Sequence, residues 1–198
     1  MLNEIAMKTL CLGLLLFLGP HAAKLTAASW RQRQIERLGE RRWKSFVSVL
    51  SLLGLMLIGF GYGQARGEFE DLWALPLWTR HVAALLTLPA FVLIAAAYMP
   101  GSRLRSRLGH PMLLGTALWS LAHLLANARV IDLLLFGSFL LWSASAFCVA
   151  CRRDRLQGID RAESLAGRDA LTALSGLIAW VIFALWLHPM LIGVRPFG

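Results

Sequence analysis

The sequence predicts an all-α integral membrane protein, a bundle of six transmembrane helices with both termini on the non-cytoplasmic side. Three observations lead to this fold class. Hydrophobic residues make up 58% of the chain and charged residues only 16%, a balance outside the range of soluble domains. Apolar runs long enough to cross a bilayer fill almost all of the 198 residues. The Lys and Arg residues lie mainly in the connections between these runs.

Six apolar runs have the length of a transmembrane helix. They cover residues 7–28, 45–65, 77–99, 111–127, 130–150 and 171–194. The first run resembles the hydrophobic part of a secretory signal peptide, with small residues before Lys24. However, the segment before it carries Glu4 against a single lysine, and the run continues amphipathically through Trp30. An uncleaved helix is therefore favoured over a cleaved leader.

The positive charges predict the orientation of the chain. Connections 24–44, 100–110 and 152–170 hold seven, three and five Lys and Arg, and the opposite side holds the remaining five of the 20. Because cytoplasmic connections are enriched in Lys and Arg, this distribution places both termini outside the cytoplasm. The confinement of charge to connections also argues against nucleic-acid binding, despite the formal net charge of +9. The basic connection 24–44 is expected on the anionic inner leaflet.

Two features of the second and third runs bear on helix packing. Gly59 and Gly63 stand four residues apart, a spacing typical of close contact between membrane helices. Pro89 is a candidate kink in the third run, because a proline removes one backbone hydrogen bond of the helix.

Two further constellations are interpreted as structural. Cys148 and Cys151 form a CxxC pair, but Arg152 stands where a covalent c-type haem needs histidine, so packing cysteines are favoured. Asp132 follows Arg129 closely, and we interpret the two as a local ion pair.

The fourth run has the most unusual polar content. If it is helical, one arc of roughly 100° holds Met112, Thr116, Trp119, Ser120, His123 and Asn127. A polar group in hydrocarbon needs an internal partner, so this face is a candidate functional site. Asn127 lies one turn from His123 and is a candidate to orient its ring.

All five histidines lie in or at the edge of an apolar run. For a single one, a hydrogen-bonded packing histidine is the commoner case, whereas the set favours a haem or metal site. His110 and His123 are separated by 13 residues, or roughly 20 Å of helix, so they do not bind one iron from opposite sides. His110 precedes Pro111, and a ligand and a helix-end residue are equally good interpretations of it.

A second ligand must therefore come from another run. His21 lies roughly 14 Å along a continuous helix from Trp30, and His123 roughly 20 Å from the same side, so the two are expected at similar depth. His81 and His188 lie toward the outer side and suit the role less well.

Short motifs are distributed along the chain from end to end. They are Gly19-Pro20-His21, Leu38-Gly39-Glu40-Arg41-Arg42-Trp43-Lys44, Trp78-Thr79-Arg80-His81, Tyr98-Met99-Pro100-Gly101, Gly109-His110-Pro111, Trp119 with His123 and Asn127, Leu187-His188, and Ile192-Gly193-Val194-Arg195-Pro196. Together they resemble the bacterial NnrU family. The most specific motif is His110-Pro111 with a histidine twelve positions after the proline, followed by an asparagine. Ala128 departs from the glycine that the family is expected to show after this asparagine.

The resemblance implies a single NnrU-like transmembrane domain over residues 1–198, located in the cell inner membrane. The family is similar to the NnrU-like domain of plant zeta-carotene isomerase, a haem b enzyme that isomerises a polyene double bond. By this resemblance His21, His110 and His123 match functional histidines, and ligation of the haem iron falls first to His21 and His123. Trp119 and Asn127 are then expected beside the cofactor. Bacterial members are associated with denitrification, a genetic context that does not itself give the substrate.

Two functions follow as hypotheses. The first is a haem b-binding membrane protein with isomerase or redox activity on a lipophilic, polyene-like or nitrogen-oxide substrate, with the catalytic residues unassigned. The second is a non-enzymatic sensor of haem or nitric oxide, or a maturation factor for denitrification enzymes. A transporter is less well supported, because we find no intramembrane carboxylate for proton coupling. Expected partners are membrane lipids, haem and the small-molecule substrate, with no nucleic acid and homo-oligomerisation left open.

Overall fold

The computed structural model describes residues 2–161, 165 and 167–196, with side chains from residue 4 onward, and these residues form helices and connections without a strand. A π-helical turn, Phe183–Leu187, joins the last two helices. The helices are α1 (Leu2–Thr26), α2 (Ala28–Leu38), α3 (Glu40–Ala65), α4 (Leu77–Tyr98), α5 (Arg103–Leu108), α6 (Pro111–Ala126), α7 (Val130–Leu156), α8 (Arg168–Ile182) and α9 (His188–Ile192).

Within the described residues, five helices are long and apolar enough to cross a membrane. They are Glu4–Thr26, Glu40–Ala65, Leu77–Tyr98, Val130–Leu156 and Arg168–Ile192. Large apolar side chains on them are exposed, for example Leu85 and Leu141 at 72% each, which suits contact with lipid. The fourth predicted run forms the shorter helix α6, whose 16 residues extend about 24 Å. The all-helical fold and the multi-pass architecture are therefore confirmed, with five full-length candidate spans where the sequence predicts six.

The first predicted run does not continue as one helix to Trp30. Ala27 leaves the helical conformation, with φ −136° and ψ 41°, and the chain restarts as α2. No residue of α2 is buried. His21 consequently lies five residues from the end of α1 at Thr26, or about 8 Å, which is closer to a helix end than a continuous helix implies.

The chain separates into two compact units. The first contains Met1–Leu72 and Arg129–Ser138, and the second contains Trp73–Ala128 and Phe139–Gly198.

In the first unit, α1 and α3 approach until their backbones touch. The contacts lie at Gly13 on α1 and at Gly54 and Gly61 on α3. A Cβ atom built on Gly54 would lie 2.6 Å from the backbone nitrogen of Phe17, so only glycine fits there. The prediction that Gly59 and Gly63 make the close contact is wrong, because both positions face open space among the described atoms. The helix is rotated so that its glycines seven positions apart face α1.

In the second unit, α4 packs against both α6 and α8. The contacts again involve glycines: a Cβ on Gly115 would lie 2.9 Å from the carbonyl oxygen of Ala90, and one on Gly176 would lie 2.6 Å from the Cα of Val92. The indole Nε1 of Trp180 donates a hydrogen bond to Thr87 Oγ1 at 2.9 Å. Helix α4 is unbroken through Pro89.

Two basic connections of the second unit lie against each other. The backbone nitrogen of Leu165 donates to the carbonyl oxygen of Gly101 at 2.9 Å. The backbone nitrogen of Arg103 donates to Asp169 Oδ1 at 2.6 Å. The connections before α6 and after α7 therefore share one end of this unit, in agreement with the charge distribution.

Candidate functional site

The hydrogen bonds identified for the polar face of α6 lie within the helix itself. Thr116 Oγ1 donates to the carbonyl oxygen of Met112 at 3.0 Å, and Ser120 Oγ donates to that of Thr116 at 2.9 Å. Asn127 Nδ2 donates to the backbone carbonyl of His123 at 2.8 Å. Such bonds to the preceding turn satisfy hydroxyl and amide groups inside a membrane helix. The bond of Asn127 therefore holds the backbone of His123, and the ring is oriented by another group.

That group is the carbonyl of Trp119. The Nδ1 atom of His123 lies 2.8 Å from this oxygen. A carbonyl only accepts, so Nδ1 carries the proton, and the neutral ring has its lone pair on Nε2. The Trp119 ring lies 4.7 Å from the His123 ring between centroids, and Phe139 contacts Trp119 edge-on at 5.9 Å. Trp119 thus restrains His123 through both its backbone and its side chain.

His21 on α1 has the same local arrangement. Its Nδ1 lies 2.6 Å from the carbonyl oxygen of Phe17, one turn earlier. The Phe17 ring stacks on the imidazole at 5.0 Å between centroids, with 24° between the planes. For both histidines, the aromatic residue four positions earlier accepts a hydrogen bond from Nδ1 at its backbone carbonyl and packs its ring on the imidazole. The lone pair of a neutral His21 is therefore also on Nε2.

The remaining outer histidines differ from each other. His188 follows the π-helical turn, its Nδ1 lies 2.7 Å from the carbonyl oxygen of Val194, and its ring meets Phe183 edge-on at 5.9 Å. His81 is exposed near the start of α4. Helical π-turns often occur at functional sites, so His188 stays a candidate alongside the first two.

His110 has the opposite protonation pattern. It is the residue before α6, and its Nε2 lies 2.9 Å from Asp154 Oδ2. Because the carboxylate accepts, Nε2 of His110 carries a proton and donates it. No side-chain capping hydrogen bond is made by His110. The sequence suggests a ligand or a helix-end residue, and the structure adds a third role, as the partner of Asp154, 44 positions away.

Asp154 is the centre of an ion cluster at the end of α7. It is 7% exposed. Its Oδ2 accepts from Arg161 Nη2 at 3.0 Å, and its Oδ1 accepts from Arg153 Nη2 at 3.1 Å. The guanidinium of Arg161 also reaches the carbonyl oxygens of Ser106 and Arg107, both at 3.5 Å. Arg161 thereby ties the end of α5 to the end of α7.

Gly109 makes room for this arginine. Its φ of 72° lies in the region that favours glycine, and a Cβ built there would overlap the guanidinium of Arg161. We expect Gly109→Ala to lower the free energy of unfolding by about 2–3 kcal/mol, from backbone strain plus displacement of Arg161. The measurement is denaturation by sodium dodecyl sulfate in mixed micelles, followed by circular dichroism.

Gly167→Ala is the matched control for Gly109→Ala. Gly167 also has a positive φ, 78°, but a Cβ built at this position would have no described atom within 4 Å. The substitution should cost only the backbone strain, about 1–2 kcal/mol. Equal losses in the two variants would contradict a packing role for Arg161.

A second polar cluster lies in the first unit. The buried carboxylate of Asp132, 1% exposed, accepts from Tyr62 Oη at 2.6 Å and from the backbone nitrogen of Arg129 at 3.1 Å. The guanidinium of Arg129 instead binds Asp71 Oδ1 at 3.1 Å and the carbonyl oxygen of Arg66 at 2.6 Å. The predicted ion pair between Asp132 and Arg129 is therefore wrong: the carboxylate meets the backbone of Arg129, as an acidic residue in the first turn of a helix commonly does.

Asp132 lies in the first turn of α7, which is also the candidate span Val130–Leu156. The cysteines are free, with Cys148 exposed and Cys151 half-buried. Over residues 2–161, 165 and 167–196, no group of three or more His, Cys, Asp and Glu side chains is placed to hold a metal ion.

Comparison with known proteins gives one match. A family model described as NnrU protein matches residues 9–196, nearly the whole chain. No curated protein and no solved structure matches it.

Proposed function

Because this chain belongs to the NnrU family, we propose that it is a haem b-binding protein of the cell inner membrane, with isomerase or redox activity on a lipophilic, polyene-like or nitrogen-oxide substrate. His21 on α1 and His123 on α6 are the residues that we propose would bind the haem iron. We also propose that α6 completes a set of six membrane crossings, with both termini on the non-cytoplasmic side.

The shared hydrogen bonding of His21 and His123 carries this proposal. In each, Nδ1 donates to the backbone carbonyl one turn earlier, at 2.6 Å and 2.8 Å. Histidines that bind metals commonly donate their second ring nitrogen to a carbonyl or carboxylate, which selects the tautomer and the ring orientation. The two residues therefore have the tautomer that suits binding of iron through Nε2, whereas Nε2 of His110 donates a hydrogen bond to Asp154.

The donor set suits haem better than a bare ion. The porphyrin supplies four ligands to the iron, so one or two histidines are enough, and neutral imidazole adds no buried net charge. Bound haem would supply an iron centre that could coordinate a double bond or a nitrogen oxide once one of the two histidines is released. The chain's own contribution is to hold the two rings: Phe17 stacks on His21 at 5.0 Å, and Trp119 packs on His123 at 4.7 Å.

The six-crossing topology is supported by contacts within the second unit. The connections before α6 and after α7 meet through Leu165 and Gly101. If α6 crosses the membrane in one direction and α7 crosses it in the other, the connection before α6 and the connection after α7 lie on the same side of the membrane. Helix α6 is shorter than a typical span, a mismatch that membranes accommodate by local thinning.

The test is the visible absorption spectrum of the full chain purified in detergent, oxidised and reduced, after haem supplementation. Wild type is expected to show a Soret band and sharp reduced α and β bands. His21→Ala and His123→Ala are each expected to lose these sharp bands, because each variant would lack one of the two histidines proposed to bind the haem iron. His81→Ala is the matched control, since His81 is exposed, and its spectrum should equal that of wild type.

The outcomes distinguish the proposals. Absence of a Soret band in haem-supplemented wild type contradicts the proposed cofactor. If His188→Ala loses the sharp bands and either His21→Ala or His123→Ala keeps them, His188 replaces that histidine as a ligand. Incubation of the loaded protein with a cis polyene, or with nitric oxide under reducing conditions, then separates the two functional classes. Catalytic turnover identifies an enzyme; binding alone identifies the sensor or maturation factor.

A further inference from the structure

We infer that a cavity at the end of α7 binds the phosphate group of an anionic ligand, as a lipid headgroup or as free phosphate. The cavity has a volume of about 360 Å³ and lies entirely within the second unit. Three arginines line it, Arg107, Arg155 and Arg161, and its acidic lining residue is Asp154. The site contains neither His21 nor His123, so it is independent of the proposed haem.

Among the described residues that line the cavity, the positive and negative charges do not cancel. Asp154 is already matched by Arg161 at 3.0 Å and by Arg153 at 3.1 Å. Arg107 and Arg155 have no acidic partner among the residues that the structure describes. Both residues are exposed, and both line the cavity. The excess of positive charge therefore favours the binding of an anion in the cavity.

Arg161 is the preorganised member of the three. Its side chain is 29% exposed, and Asp154 together with the carbonyl oxygens of Ser106 and Arg107 holds the guanidinium in place. A planar guanidinium donates two parallel hydrogen bonds to phosphate oxygens, and an arginine that is already ordered loses less conformational entropy on binding.

The cavity also has an apolar lining, which is formed by Leu108, Phe147 and Ile159. Phe147 and Arg155 occupy one face of α7, eight residues apart, so the lining changes from charged to apolar over about 12 Å along the helix. This gradient resembles the change from headgroup to acyl chain at a membrane surface. An anionic phospholipid satisfies both parts of the lining, whereas free phosphate satisfies the arginines alone.

The experiment measures ligand-dependent thermal stabilisation of the full chain in zwitterionic detergent, followed by tryptophan fluorescence. The probes are phosphatidylglycerol, phosphatidylcholine and inorganic phosphate at matched concentrations. Arg107→Gln/Arg155→Gln is expected to weaken the apparent affinity for phosphatidylglycerol by about tenfold, since it removes two charge-assisted contacts. Arg41→Gln/Arg152→Gln removes the same charge from exposed arginines outside the cavity and should stay within about twofold of wild type.

Arg107→Lys/Arg155→Lys keeps the charge and should retain most of the binding, which guards against a folding defect in the glutamine variant. Selective stabilisation by phosphatidylglycerol, lost in the glutamine variant, supports the site and identifies the lipid source. If inorganic phosphate stabilises the protein as much as phosphatidylglycerol does, and the glutamine variant loses this effect, the site is supported with free phosphate as the source. The proposal is overturned if neither phosphate probe stabilises the protein, if phosphatidylcholine does so equally, or if the cavity variant and the control variant lose binding equally.

Discussion

Gly61→Ala is expected to lower the free energy of unfolding by about 1–3 kcal/mol, a large effect for a single methyl group. The added Cβ would lie 2.6 Å from the backbone nitrogen of Leu10 and 2.9 Å from the carbonyl oxygen of Ala6. Backbone atoms cannot turn aside as a flexible side chain does, so α1 and α3 must separate along this contact. Separation costs dispersion contacts on both sides, and these contribute much of the stability of paired membrane helices.

Gly63→Ala is the control for this prediction. Gly63 lies two positions further on the same helix, is exposed, and has no described atom within 4 Å of an added Cβ. The substitution should leave stability unchanged or raise it by about 1 kcal/mol, because alanine has the higher helix propensity. Both variants are unfolded with sodium dodecyl sulfate in mixed micelles. If Gly63→Ala were the more destabilising of the two, the assigned rotation of α3 against α1 would be wrong.

Asp132→Ala is expected to lower the free energy of unfolding by about 3 kcal/mol, because it leaves two part-buried donors without their acceptor. These are the hydroxyl of Tyr62, at 2.6 Å, and the backbone nitrogen of Arg129, at 3.1 Å. Tyr62→Phe removes one donor and leaves the carboxylate with the other, so it should cost about 1–2 kcal/mol. The readout is again the free energy of unfolding in mixed micelles.

The double variant Tyr62→Phe/Asp132→Ala measures their coupling. It should be less destabilised than the two single losses predict together, by about 1 kcal/mol, since both remove the same hydrogen bond. Asp71→Ala provides the comparison on the same cluster: its side chain is 57% exposed, and its bond to Arg129 should be worth less than about 1 kcal/mol. Additive losses in the double variant would show that Tyr62 and Asp132 stabilise the fold separately.

The candidate histidines were predictable from sequence, but their chemistry was not. Intramembrane placement and the motif resemblance selected His21, His110 and His123. The structure distinguishes among them, since Nδ1 of His21 and His123 lies against a carbonyl oxygen, whereas Nε2 of His110 lies against Asp154. Helical periodicity indicates that a backbone carbonyl lies one turn before each histidine. It gives no indication that a carboxylate far away in the sequence lies beside His110.

Asp154, Arg161 and Tyr62 were missed for the same reason. Asp154 and Arg161 lie in a connection of mixed charge that has the appearance of an ordinary solvated linker. Tyr62 lies among apolar residues, where nothing local marks a hydrogen-bond partner 70 positions later. An aspartate in the first turn of a predicted span was the one available signal of a buried partner.

Local sequence is enough to establish that the chain is helical and built for a membrane, that basic connections alternate with apolar spans, and that it belongs to the NnrU family. These properties depend on windows of neighbouring residues, which carry the hydropathy, the charge and the motif spacing. Only the folded chain reveals that Gly61 and not Gly63 meets α1, and that His110 meets Asp154. Such contacts depend on how each helix is rotated about its axis, and that rotation is selected by close packing between residues far apart in the chain.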